Sequence, residues 1–346
     1  MPYQLPPDPR TERRDRVTRW VSFAFAAILV ILVAYLGYVG YEGSRQLADA
    51  PSPSTDCRTP AAFGWEYEAI NYDRAADDAL VDEPDPEACA SRSAPAGDEV
   101  TGPDEIGLAG WYVPAGRGDG AAPTVVLTHG WGSNKSAMLP RAEMLQPRYN
   151  LLFVDLRNHG QSEAAPTTQG AREAADLRAM IDWLVETKGP ERIAVLGVSM
   201  GGATALRAAD RDDRVDALVI ESTHATLTGA IQARLDGAGY PLSLPAAWAT
   251  LLGSLMRTGE DVTVADPVRS LAGLDGRPLV LISGGGDTAI GPTDAADLLA
   301  AAQDAGSPVE LHICAGARHA QSWRSCPEDY ADWVLGFLER HLDASG

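Results

Sequence analysis

The chain has 346 residues, of which 45% are hydrophobic and 22% charged, so it can bury a large core and is not globally disordered. Its formal net charge of −20 at pH 7 would repel phosphate backbones, which argues against nucleic-acid binding. No Cys or His spacing is typical of zinc, and the sequence predicts neither a metal nor an organic cofactor.

The first predicted element is a membrane-spanning helix over residues 20–41. This run contains no charged residue, and as a helix it would be about 33 Å long, enough to cross a hydrocarbon core of about 30 Å. Five arginines precede it, whereas only Arg45 follows it closely. This asymmetry predicts a single-pass cell-membrane protein, with residues 1–19 in the cytoplasm and the main domain outside. A cleaved signal peptide is the alternative, although its apolar core would normally be shorter.

Residues 42–60 are rich in Pro, Ser and Asp and are predicted to be a linker, which leaves residues 61–346 for a catalytic domain. An extracytoplasmic location permits disulfides, and four cysteines allow three pairings. We expect the pairs that join nearest neighbours along the chain, Cys57–Cys89 and Cys314–Cys326. Free buried thiols are the alternative.

Strand and helix signals alternate along the rest of the chain. Two opening strands, over residues 64–72 and 107–113, are predicted to be antiparallel. Helical periodicity marks residues 170–188 and 327–342. Short apolar runs typical of buried strands occur at residues 124–128, 151–155, 193–196, 217–220, 279–282 and 309–313. The alternation predicts an α/β fold, with a mostly parallel sheet covered by helices on both faces.

The strongest functional signal is the GxSxG pattern from Gly197 to Gly201, which lies between a predicted strand and an Ala-rich helix. Such a bend lifts the serine hydroxyl above the sheet and places it at a helix N-terminus, where N–H groups favour developing negative charge. Glycines flank the serine because side chains there would collide with the neighbouring strand and helix. Ser199 is therefore predicted to be a nucleophile.

A serine nucleophile needs a base and an orienting carboxylate, which follow it in the order acid, then histidine, when they are built on this kind of sheet. Asp287 follows the strand at 279–282, and His319 follows the last predicted strand. Both are placed at the carboxyl ends of strands, where parallel sheets bind ligands. A turn role for Asp287, with Asp294 as the acid, is the alternative.

Two backbone N–H groups are predicted to bind the oxyanion, one from Met200 and one from Trp131. His224 follows the strand that ends in VIES and is a candidate pocket residue. Residues 223–266 form a predicted small cap, whose apolar side chains could cover an acyl pocket or pack on the core.

Taken in order, THGWGSN, VDLRNHGQSE, GVSMGG, SGGGDTAIGP and GARHAQSW resemble the landmarks of the α/β-hydrolase superfamily. The resemblance covers about residues 64–342 and implies an eight-stranded sheet with a Ser199–Asp287–His319 triad. It looks most similar to the small-cap branch of membrane-anchored, serine aminopeptidase-like hydrolases. Asn158 departs from the family, in which glycine is more usual at this turn.

The resulting hypothesis is hydrolysis of an ester, thioester or amide through an acyl-enzyme on Ser199, with a small-molecule or lipid-like acyl substrate. Acyl transfer to a cell-envelope acceptor is a second hypothesis, and a non-catalytic binding module on the same fold is a third. Fold alone names no substrate, and the sequence does not indicate an oligomeric state.

Overall fold

The computed structural model describes residues 9–49, 58–70, 100–116 and 122–343. The predicted disulfide Cys57–Cys89 lies outside these residues. The strands are β1 Glu68–Ile70, β2 Gly110–Val113, β3 Thr124–Thr128, β4 Asn150–Val154, β5 Ile193–Val198, β6 Ala217–Glu221, β7 Leu279–Gly284 and β8 Val309–Cys314. They form one sheet in the order β1-β2-β4-β3-β5-β6-β7-β8. The pairs β1/β2 and β2/β4 are antiparallel and the other five are parallel, which confirms the predicted eight-stranded, mostly parallel sheet.

Within the described residues, the helices of eight or more residues are α1 Pro9–Ala48, α2 Glu173–Lys188, α3 Met200–Ala209, α4 Leu227–Gly237, α5 Ser243–Thr258, α6 Asp294–Asp304 and α7 Pro327–His341. Shorter helical turns occupy Leu139–Ala142, Pro267–Ser270 and Ser322–Ser325, and 3-10 turns occupy Pro60–Phe63, Lys135–Met138, Val262–Ala265 and Leu271–Gly273. The first strand begins at Glu68 rather than at residue 64, where the 3-10 turn Pro60–Phe63 ends at Gly64 with a positive φ of 72°.

The sheet separates two apolar cores, because alternate residues of a strand point to opposite faces. Val126 belongs to the core beneath α2, α3 and α6, whereas Val125 and Leu127 belong to the core beneath α7. All five residues of β3 are buried, and so are all those of β4, β5, β6 and β7. Burial on both faces is why these strands are continuous apolar runs in the sequence.

The helix α1 has two parts with different surroundings. Its N-terminal part is exposed, with Trp20, Phe25 and Ile31 each at least two-thirds accessible, and it is long and apolar enough to cross a membrane. From Val39 onwards α1 carries buried residues and packs on the rest of the protein. No other helix in the described residues is both long and apolar enough to span a bilayer.

The predicted linker over residues 42–60 is wrong in its first seven residues, because α1 continues to Ala48. Ser44 and Ala48 are almost fully buried, and the carbonyl oxygen of Ala48 accepts a hydrogen bond from Thr167 N at 2.9 Å. Glu42 and Arg45 form an ion pair at 3.0 Å one helical turn apart. Tertiary contacts thus extend the helix through a segment whose composition favours a tether.

The predicted cap contains α4 and α5. Their buried side chains form a third apolar cluster, in which Leu227, Ile231 and Leu251 contact each other and Leu47 of α1 packs against them. The cap therefore packs on α1 as well as on the main domain. This arrangement places α1 beside the carboxyl ends of the parallel strands, where the predicted site residues lie.

Candidate active site

The bend between β5 and α3 carries Ser199 with φ 55° and ψ −118°, a strained conformation for a residue other than glycine. A Cβ on Gly197 would lie 2.5 Å from the carbonyl oxygen of Gly201. A Cβ on Gly201 would lie 2.5 Å from the carbonyl oxygen of Thr128 in β3. Ser199 N donates a hydrogen bond to the carbonyl oxygen of Glu221 at 2.8 Å, which ties the bend to the end of β6. Only glycine fits at positions 197 and 201, two residues before and after this serine.

The structure brings Ser199, His319 and Asp287 together in a hydrogen-bonded row. His319 Nε2 lies 2.9 Å from Ser199 Oγ, and His319 Nδ1 lies 2.8 Å from Asp287 Oδ2. The Asp287 side chain is only 1% exposed, and its other oxygen accepts a hydrogen bond from Ala289 N at 2.9 Å. Because a carboxylate only accepts, it favours the tautomer with the proton on Nδ1, which leaves Nε2 to accept from the serine hydroxyl.

Asp294, the alternative candidate for the triad acid, lies at the start of a helix. It is the first residue of α6, and its carboxylate accepts a hydrogen bond from Gly291 N at 2.6 Å. The aspartate that contacts His319 is Asp287, while the acid suggested as its alternative occupies the start of a helix.

The loops that carry Asp287 and His319 are fastened to each other. Gly286 N donates to the carbonyl oxygen of Ala317 at 2.9 Å, and a Cβ on Gly284 would lie 2.3 Å from that same oxygen. A disulfide joins Cys314 to Cys326 with a Cα–Cα distance of 6.1 Å, and so encloses His319 in a short loop. The predicted pairing of these two cysteines is confirmed.

A buried ionic cluster lies beneath His319 and was not predicted from the sequence. The side chain of Glu221 is fully buried and accepts hydrogen bonds from Arg141 Nε at 2.8 Å, Tyr330 OH at 3.1 Å and Ser322 N at 3.2 Å. Arg141 in turn donates to the carbonyl oxygen of Ala320, the residue after His319, at 2.6 Å. Burial alone would lower the pKa of Arg141, but the charges and hydrogen bonds of Glu221 and Tyr330 together outweigh it and raise that pKa. The sequence contains one indication of this cluster, because the buried apolar strand β6 (ALVIE) ends in the acidic residue Glu221.

The loop after β3, which carries Trp131, is braced by two histidines. His129 Nε2 accepts from Leu156 N at 3.1 Å, and His159 Nε2 accepts from Gly132 N at 3.0 Å. Burial lowers the pKa of His129 to about 4, so its ring is neutral and can accept this bond. A Cβ on Gly130 would lie 3.2 Å from the Cβ of Ser199, so the backbone leading into Trp131 passes directly beside the serine.

A buried carboxylate anchors the other end of this loop. Asp155, at the end of β4, accepts from Lys135 N at 2.7 Å, Lys135 Nζ at 2.5 Å and Gln161 N at 2.9 Å. In the turn that follows, Asn158 has φ 63°, a left-handed conformation that asparagine tolerates better than most residues. Asparagine in place of the family's more usual glycine is therefore compatible with this turn.

A cavity of about 650 Å³ opens over Ser199 and His319. Trp131, Met200 and His224 are among its lining residues. Most of the remaining wall comes from the cap and α1, and Gln169, Ala289 and Ile290 complete it. The lining residues from α1 are Tyr38, Val39, Glu42, Gly43, Gln46 and Leu47, and those from α4 include Leu227, Ala230, Ile231, Arg234 and Leu235.

The cavity also has polar and charged lining side chains, among them Glu42, Gln46, Gln169, His224 and Arg234. His224 is 6% exposed, and burial together with the nearby His319 lowers its pKa to about 4, so it is neutral near pH 7. The guanidinium of Arg234 lies 5.5 Å from the ring centre of Trp131. Among the described residues, no group of three or more His, Cys, Asp or Glu side chains is arranged to hold a metal ion.

Comparison with known proteins gives three kinds of similarity. Residues 123–243 match a family model described as alpha/beta hydrolase fold. An uncharacterised Mycobacterium tuberculosis protein, Rv2307c, is 30% identical over 242 residues, which are 68% of this chain and 76% of that protein. Another relative, the uncharacterised Escherichia coli protein YfhR, is 30% identical over 179 residues, 50% of this chain and 61% of YfhR, so the match spans less than two-thirds of its length.

Among solved structures, the Pyrococcus furiosus esterase Pf2001 superposes with a TM-score of 0.64 and 25% sequence identity. The superposition covers 85% of this chain and 98% of the esterase. The likeness therefore extends well beyond the segment matched by the family model.

Proposed function

Because this chain belongs to the α/β-hydrolase superfamily, we propose that it is a membrane-anchored serine hydrolase that cleaves an ester, thioester or amide through an acyl-enzyme on Ser199. The observation that carries the proposal is the row of hydrogen bonds from Ser199 through His319 to Asp287, at 2.9 and 2.8 Å. The esterase-like solved neighbour supports an acyl substrate of small-molecule or lipid-like type.

The proposed reaction has two steps. Ser199 Oγ attacks the acyl carbonyl carbon while its proton passes to His319 Nε2, and the carbonyl oxygen becomes an oxyanion. His319 then gives that proton to the leaving alcohol, thiol or amine as its bond to the acyl carbon breaks. Water, deprotonated by His319, then attacks the acyl-enzyme, and His319 returns this proton to Ser199 Oγ as its bond to the acyl carbon breaks and the acid leaves. Asp287 keeps the imidazole oriented and stabilises its positive charge.

The oxyanion is proposed to lie between the N–H groups of Met200 and Trp131. Met200 is the first residue of α3, and the first N–H groups of a helix have no partner within the helix. Trp131 follows Gly130, whose backbone passes beside Ser199. Losing one such donor typically costs about 3 kcal/mol of transition-state stabilisation.

Anchoring by residues 20–41 is the second part of the proposal, with residues 1–19 in the cytoplasm and the catalytic domain outside. Its support is the exposed apolar surface of α1, the arginines that precede it, and the Cys314–Cys326 disulfide, a bond of oxidising compartments. Residues 38–47 of α1 also line the cavity, so removing α1 as a signal peptide would take away one wall of the site. This contribution favours a retained anchor.

A fluorophosphonate probe tests the chemistry in the detergent-solubilised full chain. We expect the wild type to be labelled and the Ser199→Ala variant to stay unlabelled, whereas equal labelling of both would refute Ser199 as the nucleophile. Product analysis with and without an added alcohol separates hydrolysis from acyl transfer, since a transferase would form the new ester in preference to the free acid. An N-terminal tag that persists on the membrane-bound protein tests retention of α1.

A further inference from the structure

The cap helix α5 carries apolar side chains on its buried side and also on a second, exposed side. One side is buried and includes Ala247, Thr250 and Leu251. The other side is exposed and carries a row at helical spacing, Leu244, Trp248, Leu252 and Leu255, each between 43% and 58% accessible, with Met256 beside it at 81%. Residues 237–256 contain no charged side chain in a chain that is 22% charged. A cap that faced water alone would not carry such a surface.

The N-terminal half of the exposed row, with Leu244 and Trp248, lies at the level of the membrane-spanning part of α1. Tyr35 OH donates to the carbonyl oxygen of Pro241 at 2.5 Å, and a Cβ on Gly40 would lie 2.7 Å from the carbonyl oxygen of Ala249. Residues 241–249 therefore run beside residues 35–40, inside the charge-free run that ends at Tyr41. At 1.5 Å per residue, Tyr35 lies about 9 Å inside the end of that run.

The close approach of the two helices fixes this level. A Cβ on Gly253 would lie 2.6 Å from the carbonyl oxygen of Gly40, and a Cβ on Gly43 would lie 2.5 Å from Thr250 Oγ1. The first charged side chain of α5, Arg257, lies 5.3 Å from the ring centre of Tyr41, where the charge-free run of α1 also ends. Residues 250–253 therefore lie beside residues 40–44, where the charge-free run of α1 ends, so Leu244 and Trp248 lie beside that run and Leu252 and Leu255 lie at or beyond its end.

The cavity reaches this same side of the molecule. Tyr38 and Tyr240 both line the cavity, yet they are 65% and 44% exposed, so they lie at its edge. Tyr38 belongs to the charge-free run. The walls include Val39, Leu47, Ile231 and Leu235, which suit an acyl chain, together with polar side chains such as Glu42, Gln46 and Arg234, which suit the polar part of an amphiphile.

We propose that Leu244 and Trp248 of the exposed row lie in the acyl region of the bilayer crossed by α1, with Leu252 and Leu255 at its surface, and that the cavity takes acyl lipids from that leaflet. The occupant of this apolar surface is thus membrane lipid. The substrate class is an amphiphile whose acyl chain enters beside Tyr38 and Tyr240 and whose ester or amide reaches Ser199. The substrate assignment rests on the proposed hydrolase function, whereas the membrane contact of α5 does not.

The test uses the full chain in vesicles of phosphatidylcholine and phosphatidylglycerol. The row is removed in the triple variant Leu244→Ser, Trp248→Ser, Leu252→Ser, none of which lines the cavity. Ile313→Ser, at an exposed apolar position of β8, is the matched control. Two substrates are compared, a long-chain 4-methylumbelliferyl ester dissolved in the vesicles and soluble 4-methylumbelliferyl acetate. We expect the triple variant to lose about tenfold or more on the vesicle ester, with soluble-ester activity within about twofold, since only the former needs the apolar contact.

A second readout needs no catalysis. Brominated lipids should quench the fluorescence of the wild type more than that of Trp248→Phe, because the difference isolates a tryptophan in the acyl region. Equal quenching, or equal loss on both substrates, would overturn the membrane contact. A wild type that is dimeric in detergent, with a monomeric triple variant, would assign the row to a second copy instead. A wild type inactive on both esters would refute the hydrolase and its lipid substrate, while the quenching would still decide the contact.

Discussion

Glu221→Gln is the change that most directly tests the buried cluster beneath His319. Glu221 and Arg141 have side chains that are 0% and 5% exposed, and the oxygen and nitrogen of their ion pair are 2.8 Å apart. Glutamine keeps the shape of glutamate but removes the negative charge, which leaves the guanidinium buried without a counter-charge. Breaking a buried ion pair in this way costs about 3–5 kcal/mol. For a domain of this size, that corresponds to a fall in melting temperature of roughly 6–10 °C.

The same variant should also impair turnover. Arg141 holds the carbonyl oxygen of Ala320, and Glu221 holds the backbone N–H of Ser322, so both brace the segment that follows His319. A displaced imidazole weakens proton transfer more than substrate binding. We therefore expect kcat on a soluble ester to fall by about tenfold to a hundredfold, with a smaller change in KM.

Thermal unfolding and steady-state kinetics on the same preparations measure both effects. Glu310→Gln is the control, because this glutamate is partly exposed on β8 and its ion pair with Arg340 should contribute no more than about 1 kcal/mol. A loss below about 1 kcal/mol in Glu221→Gln would refute the buried-pair reasoning. A clear loss of stability with unchanged kcat would refute the prediction that Glu221 and Arg141 help to position His319.

Three further changes address the triad, the disulfide and the pocket. Asp287→Asn should lower kcat by about 10⁴-fold, because asparagine favours the wrong imidazole tautomer, and ester hydrolysis measures this. Replacing Cys314 and Cys326 by serine should lower the free energy of unfolding by about 3 kcal/mol, the chain-entropy value for so short a loop, as urea titration would show. His224 should destabilise the fold as the pH falls from about 6.5 to about 4, by roughly 2–3 kcal/mol, because it protonates there only when unfolded.

Each of these has an outcome that would contradict it. Asp294→Asn, at the start of α6, should keep most activity, and an equal loss in both aspartate variants would remove the distinction between them. Unchanged urea midpoints in the serine variant would show that the disulfide is dispensable. His224→Phe should flatten the pH dependence of stability but not abolish it, since burial also lowers the pKa of His129 to about 4. A profile identical to that of the wild type would show that His224 is not neutral in the folded protein.

What the sequence alone determined follows from local rules. Buried parallel strands are continuous apolar runs, and the bend at Ser199 requires glycines within two residues on either side. Asp287 and His319 could be chosen because the carboxyl ends of parallel strands meet at one edge of the sheet. The sheet and the contacts among these three side chains could therefore be predicted from the sequence alone. Their catalytic roles are part of the proposed function.

Tertiary structure alone decided the surroundings of that site. Nothing in the composition of residues 42–48 indicates a helix that lines a cavity, because the contacts that stabilise it come from the cap and from residues such as Thr167. Glu221 and Arg141 are 80 residues apart in the chain, and no local pattern relates them. Local periodicity reports which face of an element is buried, whereas the partner that covers it is set by long-range packing.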